Sequence, residues 1–321
     1  MGSGVDSMVK LGFLFPGQGS QAVGMGKDFY DHLPEARSMY EQASEVLGLD
    51  IADICFNGPE SALTLTENTQ PAILIHSIIA LKMLEGNGIS AVVAAGHSLG
   101  EYSALVAAGA LEFLDAVRLV QARGRFMQEA VPVGVGGMAA IIGLPLEVLQ
   151  ETCNKVSKPG HLVQAANINS SEQFVIAGHR QAVEQVAEEA TSLGAKKTVM
   201  LPVSAPFHCP LMKPAEEKLR PELERVGFNN LNFPVIANVD AEPVLEGDKA
   251  RENLALQVCS PVLWNDTMQR LREQGVEKFV ELGPGRVLSG LMRRFDKTTE
   301  CFQVSDCKTL EQTVTQLKQL S

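Results

Sequence analysis

The chain has 321 residues, 45% hydrophobic and 20% charged, an ordinary balance for a globular protein with room for one large domain or two linked units. Its formal net charge of −11 argues against nucleic acid as a partner, because phosphate binding needs a basic face to release counterions. No stretch reaches the roughly 18 uninterrupted apolar residues of a membrane span, and no charged-then-apolar leader precedes the first strand, so a soluble, unsecreted, cytoplasmic protein with no membrane contact is expected.

In chain order, MGSGVDS (residues 1–7) reads as an expression-tag remnant, with the native start at Met8. KLGFLF (10–15) is a short apolar strand that runs into PGQGSQ. Helical stretches follow, among them an amphipathic one from Gln70 to Leu84. ISAVVAAG (89–96) is a second buried strand, and GHSLGEYSAL (96–105) turns it into a small-residue helix. A further helix covers DAVRLVQARGRFMQEAV (115–131). Such alternation predicts an α/β fold with a mainly parallel sheet covered on both faces.

From Gly137 the order changes to strand (GMAAIIG), helix (LEVLQETCNKV), strand (LVQAANI), strand (QFVIAG), helix (RQAVEQVAEEATSLG) and strand (KKTVMLPV). That is the split βαββαβ order of a ferredoxin-like module, expected as an insert over 133–203 within a large domain formed by 8–132 and 204–321. The large domain resumes with FPVIANVD, a helix from Ser260 to Gln274 with Ser260 as N-cap and Pro261 in the first turn, the strand VEKFVEL, a GPG turn and a last helix through LMRRF. The six cysteines are scattered, with no CxxC pair and no zinc-like spacing, so reduced thiols and no metal are expected.

G-x-S-x-G between a strand and a helix is the signature of a nucleophile elbow, which projects Ser98 at the carboxyl end of the sheet beside the free N–H groups of a helix. The same pattern also serves as a purely structural turn. A serine nucleophile needs a base, and His208, in the stiff loop VSAPFHCPLM between Pro206 and Pro210, is the best placed of six histidines. His76 lies within an apolar helix, His32, His161 and His179 sit in polar surroundings, and His97 adjoins the serine but points elsewhere. Cys209 is a poor nucleophile candidate, since adjacent side chains rarely converge. On the helix after the elbow, Ala116, Val120, Arg123 and Met127 share one face, opposite Arg118 and Arg125. Arg123 therefore points to the apolar side and must meet an anion, either a protein carboxylate in a salt bridge or a ligand carboxylate held by two parallel bonds. The FPGQGSQ loop offers backbone N–H groups for an oxyanion or, less completely, a GxG dinucleotide loop without the full fingerprint.

FPGQGSQ, GHSLGEYSAL, RGRFMQEAVP, NINSSEQFVIAG, PFHCPLM, SPVLW and ELGPGRVLSGL occur in an order and spacing that resembles bacterial malonyl-CoA:acyl-carrier-protein transacylase over the whole chain from Met8. Ser171 stands where that family often has proline. The resemblance implies an α/β-hydrolase-like core with the ferredoxin-like subdomain as one wall of the cleft. It implies Ser98 as nucleophile, His208 as base, backbone N–H groups of Gln18 and Leu99 as the oxyanion hole, Arg123 as carboxylate binder and the Gln257 main-chain carbonyl as orienter of the histidine. Phe207 resembles the bulky residue that crowds substituted malonyl groups. Also implied are malonyl-CoA and acyl carrier protein as partners, no cofactor, a monomer, and a Ser–His dyad in place of a triad. Carrier proteins of this kind are acidic, and Lys196 with Lys197, or Arg293 with Arg294, are candidate docking residues. A serine esterase or thioesterase and a non-catalytic carrier-protein scaffold are the rival readings.

Overall fold

The structure, a computed structural model, describes residues 9–203 and 205–320. The tag remnant and the Met8 start lie outside the described residues. Among the described residues, ten strands make two sheets: β1 (Leu11–Phe15), β2 (Val93–Gly96), β3 (Gly136–Ile142), β4 (Val163–Ile168), β5 (Gln173–His179), β6 (Lys197–Met200), β7 (Val235–Ile236), β8 (Pro243–Val244), β9 (Lys278–Leu282) and β10 (Glu300–Val304). The larger sheet has the order β10-β9-β1-β2-β7-β8 and is parallel throughout except for the β7–β8 pair. Both of its faces are covered, as the side chains of β1 show: Phe13 and Phe15 enter one core and Leu14 the other. The fold is mixed α/β, with the mainly parallel sheet accompanied by a separate antiparallel one.

That smaller sheet has the order β4-β5-β3-β6 and is antiparallel throughout. The helices Leu146–Val156 and Arg180–Ser192 bury their apolar faces on it around Leu149, Phe174, Ile176 and Val183. Parallel pairing of β1 with both β2 and β9 puts the carboxyl ends of β1 and β2 side by side, the usual place for a site in an open parallel sheet.

The structure departs from the sequence expectations at three points. The helix expected from Gln70 to Leu84 runs Thr66–Glu85 and is buried nearly all round rather than amphipathic, because the helices Pro34–Leu47, Phe113–Glu129 and Cys307–Lys318 pack on it. The helix expected from Ser260 begins at Trp264, with Leu263 at the N-cap. Val262 is drawn into the small sheet instead: its N–H donates to Ala166 O at 2.8 Å and its carbonyl accepts from Ile168 N at 2.9 Å. The helix through LMRRF is not the last one: β10 and the helix Cys307–Lys318 follow it. No described helix is long and apolar enough to cross a membrane, and the six cysteines are all free.

Candidate active site

The turn after β2 carries Ser98 with φ at 51°, the left-handed region that a non-glycine residue adopts only under constraint. Two glycines make the turn possible. A Cβ on Gly96 would lie 1.9 Å from the Gly100 carbonyl, and one on Gly100 would lie 2.0 Å from Phe15 O. Asn238, just past β7, clamps the turn: its Oδ1 accepts from Ser98 N at 2.7 Å and its Nδ2 donates to Gly96 O at 2.8 Å. The helix Gly100–Ala107 then starts directly beneath the serine.

His208, also at positive φ (60°), reaches Ser98 Oγ through Nε2 at 2.7 Å, while its Nδ1 donates to the Gln257 main-chain carbonyl at 2.9 Å. That bond keeps the proton on Nδ1 and leaves Nε2 to accept from the serine hydroxyl. Burial, then the nearby Arg123 cation, push the imidazole down to about 3, so it is neutral at physiological pH. The histidine backbone is tied to the small sheet, since Gln164 Nε2 donates to His208 O at 3.2 Å.

Arg123 is 1% exposed, on the buried face with Ala116, Val120 and Met127. Its Nη1 donates to Gln70 Oε1 at 2.8 Å, and its Nη2 donates to Ser98 Oγ at 3.0 Å and Gln257 Oε1 at 2.9 Å. The Tyr102 ring lies 5.6 Å away, and Nε has no partner. The anion expected from burial logic is thus not a carboxylate in contact among the described residues, where every acceptor is a neutral oxygen.

The cleft above these groups encloses about 300 Å³. Gln21, Gln70, Met127, Met138, Asn167 and Val203 line it. Phe207 also faces it, as do Gln18 and Leu99, whose backbone N–H groups donate to no protein acceptor among the described residues. His97 turns away from the serine, with Nε2 2.8 Å from Asn169 Oδ1. His76 is a core residue, its Nε2 2.9 Å from Ser305 O.

Of the candidate docking residues, Lys196 pairs with Glu172 at 3.4 Å and Arg294 donates to Gln173 Oε1 at 2.8 Å. Elsewhere, Asp28, His32 and Cys307 converge on the surface. The Asp28 carboxylate there accepts from Cys307 N, capping the last helix.

Three residues that shape the site were not singled out from the sequence: Gln70, Asn238 and Glu101. None carried a local signal: Gln70 continues the polar stretch TENT, and Asn238 and Glu101 act through partners distant in sequence.

A serine on a strained elbow, a neutral histidine bonded to it and two N–H groups without an acceptor among the described residues are an arrangement that can support acyl transfer through a serine ester. The chain belongs to the acyl transferase family: residues 12–312 match the model described as the acyl transferase domain. Among individual relatives, it is 46% identical over 312 residues to the malonyl CoA-acyl carrier protein transacylase of Bacillus subtilis (strain 168), covering 97% of this chain and 98% of that one. It is also 46% identical over 292 residues to the Escherichia coli (strain K12) protein of the same name, covering 91% and 94%. The solved transacylase from Coxiella burnetii superposes with a TM-score of 0.93 at 40% identity, covering 96% of this chain and 98% of that one. A malonyl-transacylase solved in complex with a type II PKS acyl-carrier protein does so with a TM-score of 0.93 at 42% identity, covering 96% and 99%.

Proposed function

We propose that this chain transfers the malonyl group of malonyl-CoA to the phosphopantetheine thiol of acyl carrier protein through a malonyl ester on Ser98, supplying malonyl-carrier protein for fatty acid synthesis. What supports this reading over simple ester hydrolysis is Arg123, a buried guanidinium with no carboxylate in contact, bonded to the oxygen that would carry the acyl group. A plain esterase has no use for such a cation.

His208 Nε2 takes the proton of Ser98 Oγ as that oxygen attacks the thioester carbonyl. The backbone N–H groups of Gln18 and Leu99 receive the oxyanion. As the tetrahedral species collapses, the C–S bond breaks and the CoA sulfur leaves with the proton held on His208. The carrier-protein thiol then gives its proton to His208 and attacks the ester, and Ser98 recovers the proton as it departs.

Arg123 holds the malonyl carboxylate. Nε and Nη2 lie on one edge of the guanidinium, so Nη2 exchanges its bond to Ser98 Oγ for the ligand while the unpartnered Nε supplies the second, parallel bond. The incoming negative charge also offsets the cation that depresses His208, raising the basicity of Nε2 when the correct substrate is seated. In this reading the chain works as a cytoplasmic monomer, needs no cofactor or metal, and contacts neither nucleic acid nor membrane.

Intact-mass spectrometry after brief incubation with malonyl-CoA, without carrier protein, tests the reading. A malonyl adduct absent from Ser98→Ala and discharged by holo carrier protein is expected. CoA release with no adduct would mean a hydrolase, and no reaction a scaffold.

A further inference from the structure

Beneath the elbow lies a carboxylate that the acyl-transfer steps do not use. Glu101, in the first turn of the helix Gly100–Ala107, is 2% exposed. Two donors converge on one of its oxygens, Oε2: the Gln257 side-chain amide at 2.7 Å and the Asn238 backbone N–H at 3.1 Å.

Those two partners hold the rest of the site. Gln257 meets Arg123 through Oε1, His208 through its main-chain carbonyl, and Ser98 O through Nε2 at 3.0 Å. Asn238 holds the N–H of Ser98. A glutamine amide can present either its oxygen or its nitrogen to a given neighbour. Here a reversed amide would turn its oxygen against the Glu101 carboxylate and its NH2 against the Arg123 guanidinium, a loss at both ends. Glu101 and Arg123 thus together decide which way Gln257 faces.

We propose that Glu101 is a positioning residue for acyl transfer: through Oε2 it locks the Gln257 amide and the Asn238 backbone in the arrangement that presents Ser98 to His208 and Arg123. The role belongs to the acceptor oxygen and not to the charge. Burial lifts this carboxyl to about 7, and its ionised and neutral forms both keep an oxygen for the two donors. The inference rests on the transacylase reading of the same site.

The test is kcat per active serine, with active sites counted by the malonyl-CoA burst on Ser98, in the unsubstituted chain, Glu101→Gln and Glu101→Met. Glu101→Gln keeps an oxygen where both donors point, and is expected to retain per-site kcat within about fivefold, the difference between a charged and a neutral acceptor. Glu101→Met fills similar space without that oxygen and is expected to lose about 10²-fold per site, the scale of a small misplacement of reacting groups. A purely structural role predicts fewer titratable serines at unchanged kcat per site, which overturns the proposal. Glu101→Gln as slow as Glu101→Met also overturns it, because charge would then be what matters. Should Glu101→Met not fold, Glu101→Asp decides: it keeps the charge but withdraws the oxygen by one methylene. A per-site kcat below that of Glu101→Gln supports the proposal, and one equal to or above it overturns it. If the unsubstituted chain forms no Ser98 adduct, the transacylase reading fails and takes this proposal with it; an adduct combined with any of the contrary results overturns this proposal alone.

Discussion

Arg123 spends its two terminal nitrogens on the neutral oxygens of Gln70, Ser98 and Gln257, so its charge is solvated by dipoles while its carboxylate partner is still to come. Acetyl offers no carboxylate and leaves the cation as it was, whereas malonyl completes the pair. Arg123→Ala is therefore expected to lower kcat/KM for malonyl-CoA about 10²- to 10³-fold, the value of two charge-assisted bonds, and to change acetyl-CoA turnover less than about tenfold. Parallel losses for both substrates would assign Arg123 to the fold instead of to selection. His76 gives a second prediction, on stability. Burial holds its imidazole down to about 4, against about 6.5 in the unfolded chain. Between those values the unfolded state binds the extra proton, so the histidine's contribution is full above pH 6.5 and is lost as pH falls toward 4. From pH 7.5 to 5.5 the loss is about 1 kcal/mol. Urea unfolding of His76→Gln should show a pH dependence shallower by that amount than the unsubstituted chain. An unchanged dependence would mean that His76 does not titrate between those states.

At the scale of elements, the elbow is a packing solution in which a strand end, a turn and a helix start occupy space that leaves no room for side chains on the two flanking glycines. Gly100→Ala would drive a Cβ into the Phe15 carbonyl, and backbone cannot yield as a flexible side chain does. A loss of about 3 kcal/mol or more is expected. Gly290, inside the helix Val287–Phe295 with nothing near its missing Cβ, is the control: Gly290→Ala should gain about 1 kcal/mol by helix propensity alone. Thermal or urea melts of the pair check both signs. The elbow was legible in the sequence because its apolar strand, its G-x-S-x-G turn and its small-residue helix are contiguous. The strand order of the inserted module was legible for the same reason. What escaped was decided by distant partners. Ser260 and Pro261 carry good helix-start chemistry, yet Val262 pairs with Asn167, far back in the chain, and the helix waits until Trp264. β10 is an edge strand with only Phe302 and Val304 buried, and the last helix buries only Thr313 and Leu317, so both patterns are too thin to read. Asn238 and Glu101 matter through each other and through Gln257, and no local pattern announces a network closed by tertiary contact.

For the whole molecule, the insertion point of the small sheet is what gives the site its shape. The small sheet lies in the chain between the helix that carries Arg123 and the loop that carries His208, and it places Met138 and Asn167 on the cleft, so any independent movement of it would open the cleft beside Ser98. Three ties oppose such movement. Gln164 bonds the His208 carbonyl, Asn169 bonds His97 in the elbow, and Ala166 and Ile168 pair with Val262, a short step from Gln257. Each tie joins β4 or its exit to a different segment around Ser98, and together they constrain rotation as well as separation. The small sheet should therefore open with the elbow and not as a unit of its own. Amide hydrogen exchange on the ligand-free chain measures this directly, because cooperative units exchange with a shared opening free energy. Peptides covering 162–170, 258–264 and 96–101 are expected to share that value within about 1 kcal/mol. Much faster exchange in 162–170, with the elbow peptide still protected, would show a module that swings free. The geometry of Ser98, His208 and Arg123 would then be one member of an ensemble, with kcat set in part by how often the module returns to it.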